Sequence, residues 1–173
     1  MRGYWLAALI GGAMSIGCGG GDDVTRPEDE SLEISLSPAA VEVPQGRVFD
    51  LEVRIANAVD VFSASFEVQL PDLFTVAAPV ASKGDFPSGD ALFLAVSEPG
   101  KISIGFTEVQ TGERRGRSGS GTLAVLHLIA RRSGESTLAV SGIRLTDAAG
   151  AIIPGSTDLE PAGTAVIAYC CAP

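Results

Sequence analysis

The residues of this chain that could do chemistry are few. His127 is the single histidine of 173 residues, and it lies in GTLAVLHLIA, a segment apolar on both faces that is typical of a central strand. Strand alternation places it on one side with Leu123, Val125 and Ile129. Nucleophilic catalysis would need a serine or cysteine and an acid brought to this histidine, and no nucleophile-elbow signature accompanies it. We predict a packed or edge-exposed strand histidine and no enzymatic activity.

Carboxylates are the second candidate chemistry, because a glycosidase needs only two of them about 5 to 9 Å apart. In the strand-like segments, acids such as Glu52 and Glu67 alternate with apolar neighbours, as outward-facing charges do. No calcium-binding loop, zinc-binding helix or phosphate-binding loop is recognisable, so we predict no metal site and no cofactor. The acids are otherwise spread along the chain, and five of them lie in one solvated segment: Asp22, Asp23, Glu28, Asp29 and Glu30.

The first cysteine ends a short apolar segment, residues 4–16, which follows Arg2 and the terminal amine. A membrane-spanning helix needs about 20 apolar residues, so this length predicts an export signal. The stretch Ser15-Ile16-Gly17-Cys18 resembles the lipobox of bacterial lipoproteins, although that family prefers Leu where Ser15 stands. The resemblance implies cleavage after residue 17 and a diacylglycerol on Cys18. An ordinary signal peptide with an unmodified cysteine is the alternative.

The other two cysteines, Cys170 and Cys171, are neighbours near the C-terminus. Consecutive Cα atoms lie about 3.8 Å apart, whereas disulfides prefer about 4.4 to 6.8 Å, so an unstrained bridge between them is disfavoured. Two thiols in a tail, an intermolecular disulfide and a soft-metal ligand pair remain the alternatives.

Composition divides the chain into a signal at 1–17, a tether at 18–31, a domain at 32–168 and a tail at 169–173. The tether sequence GGGDDVTRPEDES has hardly an apolar residue and is typical of a flexible spacer. The net charge of −9 argues against nucleic-acid binding, which requires a basic surface. About 155 residues remain after the signal, enough for one domain with its own core.

From Leu32 onward apolar residues recur at every second position, which is typical of half-buried strands. Alternation in VFSASFEVQL points Phe62, Ala64 and Phe66 to one side. No segment has a helical period, and a strand with one apolar face must bury it against a second layer. We therefore predict an all-β protein, an antiparallel β-sandwich with jelly-roll topology. About nine strands are expected, at SLEISLS, RVFDLEVRIAN, VFSASFEVQL and near 73–81, 91–96, 101–108, 121–130, 135–147 and 164–168.

Four segments together resemble the cohesin domain family. They are QGRVFDLEVRIANAVDVFSASFEVQLPDLFTV, KGDF, GKISIGFTE and SGSGTLAVLHLIARRSGESTLAVSGIRLTDAAGAII, which span about 120 residues. The family often has Tyr-Asp-Pro at a bend where this chain has Leu70-Pro71-Asp72. The resemblance implies a non-catalytic module that binds dockerins, which are calcium-loaded helical pairs, through one sheet face.

Carried onto this chain, that face consists of the outward residues of two strands. Small hydroxyl side chains there would leave the backbone close to a docked helix and supply adaptable hydrogen bonds. Polar residues that alternate with apolar ones are also what any solvated strand shows. The predicted partner-binding residues are Ser63, Ser65, Glu67, Gln69, Lys101, Ser103 and Thr107.

A carbohydrate-binding module of an envelope lipoprotein is the alternative function, since its jelly roll is similar. Sugar binding usually needs exposed aromatics, and alternation turns Phe49, Phe62, Phe66 and Phe106 inward, with Phe74, Phe86 and Phe93 undecided. The arginines of TGERRGRSGSG, Arg114, Arg115 and Arg117, form either a solvated loop or a contact for an acidic partner. Contact with the membrane is expected through the lipid alone. Gly19 after the lipidated cysteine implies an outer-membrane location in a Gram-negative host, with an exported protein as the partner.

Overall fold

The fold is that of a two-layer β-sandwich in a computed structural model that describes residues 31–110, 112–161 and 163–170. The predicted signal, Cys18, residues 19–30 of the tether and Cys171 lie outside these ranges. One short 3-10 turn, Ser156–Asp158, precedes the last strand. The strands are β1 Glu33–Ser37, β2 Ala40–Pro44, β3 Val48–Val61, β4 Ser63–Gln69, β5 Phe74–Lys83, β6 Leu92–Glu98, β7 Lys101–Thr107, β8 Arg117–Ala130, β9 Gly134–Thr146 and β10 Thr164–Tyr169.

Two sheets make up the layers. The four-stranded sheet has the order β1-β3-β8-β5, and the six-stranded sheet has the order β2-β10-β9-β4-β7-β6. β8 lies between β3 and β5, as the apolar character of both its faces predicted. β4 lies between β7 and β9, and β6 forms one edge of its sheet. The predicted all-β sandwich is confirmed.

The core lies between the two sheets and is built from the alternating positions. On β3 and β8, Leu51, Val53 and Leu126 are completely buried; on β4 and β7, Val68 and Ile102 face them from the other layer. Each such side chain contributes about 1.5 to 3 kcal/mol by leaving water. Sequence alternation therefore places most of the core correctly.

A tenth strand, β2, was not predicted from the sequence. The segment AVEVP follows Pro38 and ends at Pro44, so its turn residues outweigh its short alternation. β2 pairs with β10 in parallel, with Val41 opposite Val166, whereas the other pairings within the two sheets are antiparallel. The sandwich is thus not wholly antiparallel.

Phe62 is not in the core, contrary to the alternation of VFSASFEVQL. The chain leaves the four-stranded sheet at Val61 and enters the six-stranded sheet at Ser63, so Phe62 lies at the crossing and is half-buried. The guanidinium of Arg114 lies 6.0 Å from the centre of its ring. Phe49, Phe66, Phe74, Phe86 and Phe106 are buried, and Phe93 is partly buried against the core.

Serines of β8 support two bulges in β3. Asn57 and Asp60 both have positive φ, 56° and 55°, which turns their backbone N–H groups out of the ladder. Ser120 Oγ accepts the N–H of Asn57 at 3.1 Å, and Ser118 Oγ accepts that of Asp60 at 3.0 Å. β8 therefore begins at Arg117, four residues before the predicted Gly121, because the SGSG serines still pair with β3.

Gly84 allows the chain after β5 to pass directly over β8. Its N–H donates to the carbonyl of Leu123 at 3.1 Å, and the side chain of Asp85 accepts the N–H of Thr122 at 2.6 Å. A Cβ on Gly84 would lie 2.0 Å from the carbonyl oxygen of Thr122. The KGDF segment thus requires glycine for steric reasons.

We expect Gly84→Ala to lower the free energy of unfolding by about 2 kcal/mol or more, because backbone would have to move to relieve the overlap. Urea denaturation of the full chain measures the change. Gly89→Ala is the matched control: it lies in the same connection, with nothing within 4 Å of its added Cβ. Equal stability of the two variants would contradict this account of Gly84.

Candidate partner-binding face

The seven predicted partner-binding residues lie together on the outer face of the six-stranded sheet. β4 and β7 are antiparallel neighbours, and their register sets Ser63 opposite Thr107, Glu67 opposite Ser103 and Gln69 opposite Lys101, while Ser65 stands opposite Gly105. All seven are half-buried or exposed, whereas the residues between them are buried or, in the case of Gly105, lack a side chain. The predicted juxtaposition is therefore present. Their role in binding remains a prediction.

Hydrogen bonds fix several of these side chains. Ser63 Oγ lies 2.6 Å from Thr146 Oγ1 of β9, and the amide of Gln69 donates to Ser141 Oγ at 3.1 Å. Within the described residues Ser65 has no side-chain partner. The face thus has ordered ends with an adaptable hydroxyl between them.

One end of the face carries a charged network. The ammonium of Lys101 donates to Glu67 Oε1 at 2.6 Å and lies 3.3 Å from Glu98 Oε2. The hydrogen bond with Glu67 is the largest influence raising the pKa of Lys101 above its usual 10.5, followed by the bond with Glu98. Lys101 therefore stays charged at neutral pH and neutralises one of the two carboxylates.

An apolar stripe that was not predicted from the sequence lies next to these residues. On β6 the outward side chains are Leu92, Leu94 and Val96, and they are 65%, 66% and 42% exposed. β6 pairs with β7 so that Leu94 lies beside Gly105 and Val96 beside Ser103. The sequence shows only that the run LFLAV is apolar at consecutive positions. It does not show that this strand lies at the edge of its sheet with one face open to solvent.

Gly105 creates a shallow depression between the stripe and the serines. The depression has a volume of about 380 Å³, and its lining includes Leu92, Leu94 and Ser63. A Cβ on Gly105 would lie 3.5 Å from the nearest atom, the carbonyl oxygen of Ala64, which is an ordinary contact. The depression therefore reflects a missing side chain and could be filled without disturbing the backbone.

β9 extends the face on its other side. Arg144 is exposed and lies opposite Ser65 across the β4–β9 pairing. A bulge between the Ser65 and Glu67 positions is accommodated by Gly142, which has a φ of 61°. Arg144 was not predicted as a site residue, because the resemblance assigned the face to β4 and β7 alone.

His127 has two hydrogen-bond partners on the opposite, four-stranded sheet. Its Nδ1 lies 2.7 Å from Asp50 Oδ1 and its Nε2 lies 2.5 Å from Ser82 Oγ. The histidine is an outward strand residue with a side chain 21% exposed, in agreement with the sequence prediction. Leu123 does not share its side, because the register shifts near Ala124 and both residues are fully buried.

Few aromatic side chains in the described part of the chain are exposed enough to stack on a sugar ring. Among these residues, Tyr169 is the one aromatic residue with more than a third of its surface exposed, at 39%. It lies on β10, away from the β4 and β7 residues.

Two further features concern metals and membranes. Within residues 31–110, 112–161 and 163–170, no group of three or more His, Cys, Asp or Glu side chains is arranged to hold a metal ion. In the same ranges, no helix combines the length and the apolar character that crossing a membrane requires.

Comparison with known proteins identifies the family. The family model described as the cohesin domain matches residues 34–159, and a search of curated proteins found no match. The chain therefore belongs to the cohesin family, and as a member it is a non-catalytic protein-interaction module.

Solved structures share the fold at low sequence identity. A non-cellulosomal cohesin from Archaeoglobus fulgidus is 21% identical with a TM-score of 0.66, covering 80% of this chain and 91% of that one. The third ScaC cohesin of Acetivibrio cellulolyticus, solved in complex with the ScaB dockerin, is 13% identical with a TM-score of 0.63, covering 80% and 99%. A type II cohesin from the cellulosome of the same organism is 15% identical with a TM-score of 0.59, covering 79% and 94%.

We expect Glu67→Gln to lower the pKa of Lys101 towards 10.5, because the substitution removes the largest influence that raises it. Glu98→Gln should lower it less. Because the pKa of Lys101 is higher in the folded than in the unfolded chain, its charged form stabilises the fold below about pH 10.5. This contribution is lost as the pH rises through the folded-state pKa. NMR titration of the Lys101 side chain measures both changes. A pKa that neither substitution alters would contradict the network.

Proposed function

We propose that the outer face of the six-stranded sheet binds a dockerin-like module of another exported protein. The observation that carries the proposal is the apolar stripe Leu92, Leu94 and Val96 beside the seven predicted residues. Isolated exposed apolar residues are common, but a contiguous patch rimmed by polar groups is typical of an interaction site. Family membership and the dockerin complex of the Acetivibrio relative support this assignment.

The shape of the face suits a helix. Ser65, Ser103 and Gly105 have small side chains or none, so a helix backbone can approach the sheet closely. Leu94 stands at the side of the Gly105 depression, which could accept one apolar side chain of the partner. Hydrophobic contact would supply affinity, and the flanking hydroxyls would supply orientation.

Charge on the face would help to select the partner. Arg144, opposite Ser65, makes no ion pair with any other described residue. Glu67 and Glu98 share the single charge of Lys101 towards the other end. A partner with an acidic group near Arg144 and a basic group near Glu98 would be favoured, because complementary charges speed encounter and exclude wrong partners.

We also propose that Cys18 is lipidated after cleavage of residues 1–17 and that residues 18–31 tether the domain at residues 32–168 to the cell envelope. The lipobox resemblance and the composition of the tether support this arrangement. In a Gram-negative host the location would be the outer membrane. The residues concerned lie outside the described ranges.

We expect Leu94→Asp to weaken binding to the cognate dockerin about 30-fold or more, because a charge would be buried at the centre of the stripe. Dockerin modules of the source organism's exported proteins, produced singly, are titrated against the full chain by isothermal calorimetry in calcium. Val48→Asp is the matched control, since Val48 is 56% exposed on the other sheet. An unchanged Leu94→Asp affinity, or an equal loss in Val48→Asp, would place the interface elsewhere.

Gly105→Leu tests the depression by shape rather than charge. The added Cβ would make only an ordinary contact, and the rest of the side chain would extend into the open depression, so stability should stay within about 0.5 kcal/mol. A partner side chain would then be excluded, and affinity should fall about tenfold or more. A parallel pull-down on insoluble polysaccharides tests the alternative function. Retention on glycan, together with no dockerin binding, would reverse the assignment.

Cys18→Ala should abolish incorporation of labelled palmitate and release the protein from the membrane fraction, because the thiol that carries the lipid is lost. Cys170→Ala is the control and should keep the label. Persistence of the label in Cys18→Ala would refute the anchor.

A further inference from the structure

Three side chains form a continuous hydrogen-bonded chain on the outer face of the four-stranded sheet. Ser82 Oγ lies 2.5 Å from His127 Nε2, and His127 Nδ1 lies 2.7 Å from Asp50 Oδ1. Asp50 lies on β3, Ser82 on β5 and His127 on β8, and the two hydrogen-bonded pairs are 45 and 77 positions apart along the sequence. The order hydroxyl, imidazole, carboxylate is that of an activated serine nucleophile.

The carboxylate determines the tautomer of the imidazole. An ionised Asp50 can only accept, so Nδ1 of a neutral His127 carries the hydrogen and donates it. Nε2 is then left with its lone pair, and the hydroxyl of Ser82 donates to it. This is the arrangement in which the imidazole can remove the hydroxyl proton as the oxygen attacks.

The fold brings the three strands into this order. Asp50 is directly opposite His127 in the β3–β8 register. On the other side of β8, the pairing register with β5 shifts between Val76 and Ala81 and sets Ser82 opposite Val125. Val125 is the outward residue of β8 that precedes His127. Without that shift, the serine would meet a different residue of β8 and could not reach the imidazole.

We propose that Ser82 is a reactive nucleophile that accepts an acyl group from activated esters, with His127 as the general base and Asp50 as the residue that positions it. The site lies on the sheet opposite the proposed docking face. It is independent of the partner that this face binds.

The step balances without a further reactant. As Ser82 Oγ forms its bond to the carbonyl carbon of the ester, its proton moves to His127 Nε2. The bond from that carbon to the leaving alcohol then breaks, and the alcohol oxygen takes the proton from the imidazolium. The products are an ester of Ser82 and a free alcohol, and His127 returns to its neutral form.

The open setting of the site weakens its electrostatic support of the reaction. The side chains of His127 and Asp50 are 21% and 61% exposed, so water reaches the site. The ammonium of Lys83, the residue after Ser82, is held by the carbonyls of Ser88 and Gly89. General-base assistance of about 10² to 10⁴-fold is therefore expected without the anion stabilisation of a turnover enzyme, in keeping with the non-catalytic family.

The test uses a fluorophosphonate on the full chain, because its adduct with serine is stable. Ser82 Oγ displaces fluoride from phosphorus, and peptide mapping by mass spectrometry locates the label over time. We expect Ser82 to react at least about 10² times faster than Ser65, an exposed serine without a side-chain partner among the described residues. 4-Nitrophenyl acetate should acetylate the same serine.

His127→Gln should reduce labelling of Ser82 to the rate of Ser65, and Asp50→Asn should reduce it less, since Asp50 acts through His127. Circular dichroism and thermal unfolding check that both variants fold. Because His127 is the single histidine, modification of the unsubstituted protein with diethyl pyrocarbonate provides a second measurement and should also block labelling. Ser82→Ala should remove the label and leave dockerin binding unchanged.

A label absent from Ser82, or a rate at Ser82 equal to that at Ser65, would overturn the proposal. Equal labelling before and after loss of His127 would do the same. In each case the three residues would act as a structural hydrogen-bonded link between strands.

Discussion

The apolar side chains that recur at every second position can leave water only if two sheets lie face to face. Leu51, Val53, Leu126, Val68 and Ile102 meet in the resulting layer and are completely buried. Because successive strand residues point in opposite directions, burying this set turns the intervening residues of every strand outward. The core therefore determines both outer faces, which are where the proposed docking and the Ser82 chain lie.

Departures from regular pairing give each outer face its character. The crossing at Phe62 moves the chain from one sheet to the other, and the bulge at Gly142 brings Arg144 outward beside Ser65. In the four-stranded sheet, the shift in β5 brings Ser82 within reach of His127. Each irregularity changes which side chains are neighbours while leaving the buried layer intact, so function can vary on a constant core.

The two faces differ in what they offer a ligand. The six-stranded sheet presents an apolar edge strand, a depression over Gly105 and small hydroxyls, which together form a broad surface suited to another protein. The four-stranded sheet presents a line of three polar side chains linked by hydrogen bonds, which is suited to proton transfer at one atom. The separation of the faces by the core lets the two be altered independently.

The sequence by itself determined the two-layer β architecture, most of the core and the outward rows of β4 and β7, because strand periodicity is local and needs no knowledge of neighbours. It did not reveal β2, whose short alternation between prolines becomes a strand only through pairing with β10. Nor did it reveal that Leu92, Leu94 and Val96 would stay exposed, since only the strand order makes β6 an edge. The meeting of Ser82, His127 and Asp50 was decided by tertiary structure alone, because register between distant strands depends on bulges and crossings that have no local signal.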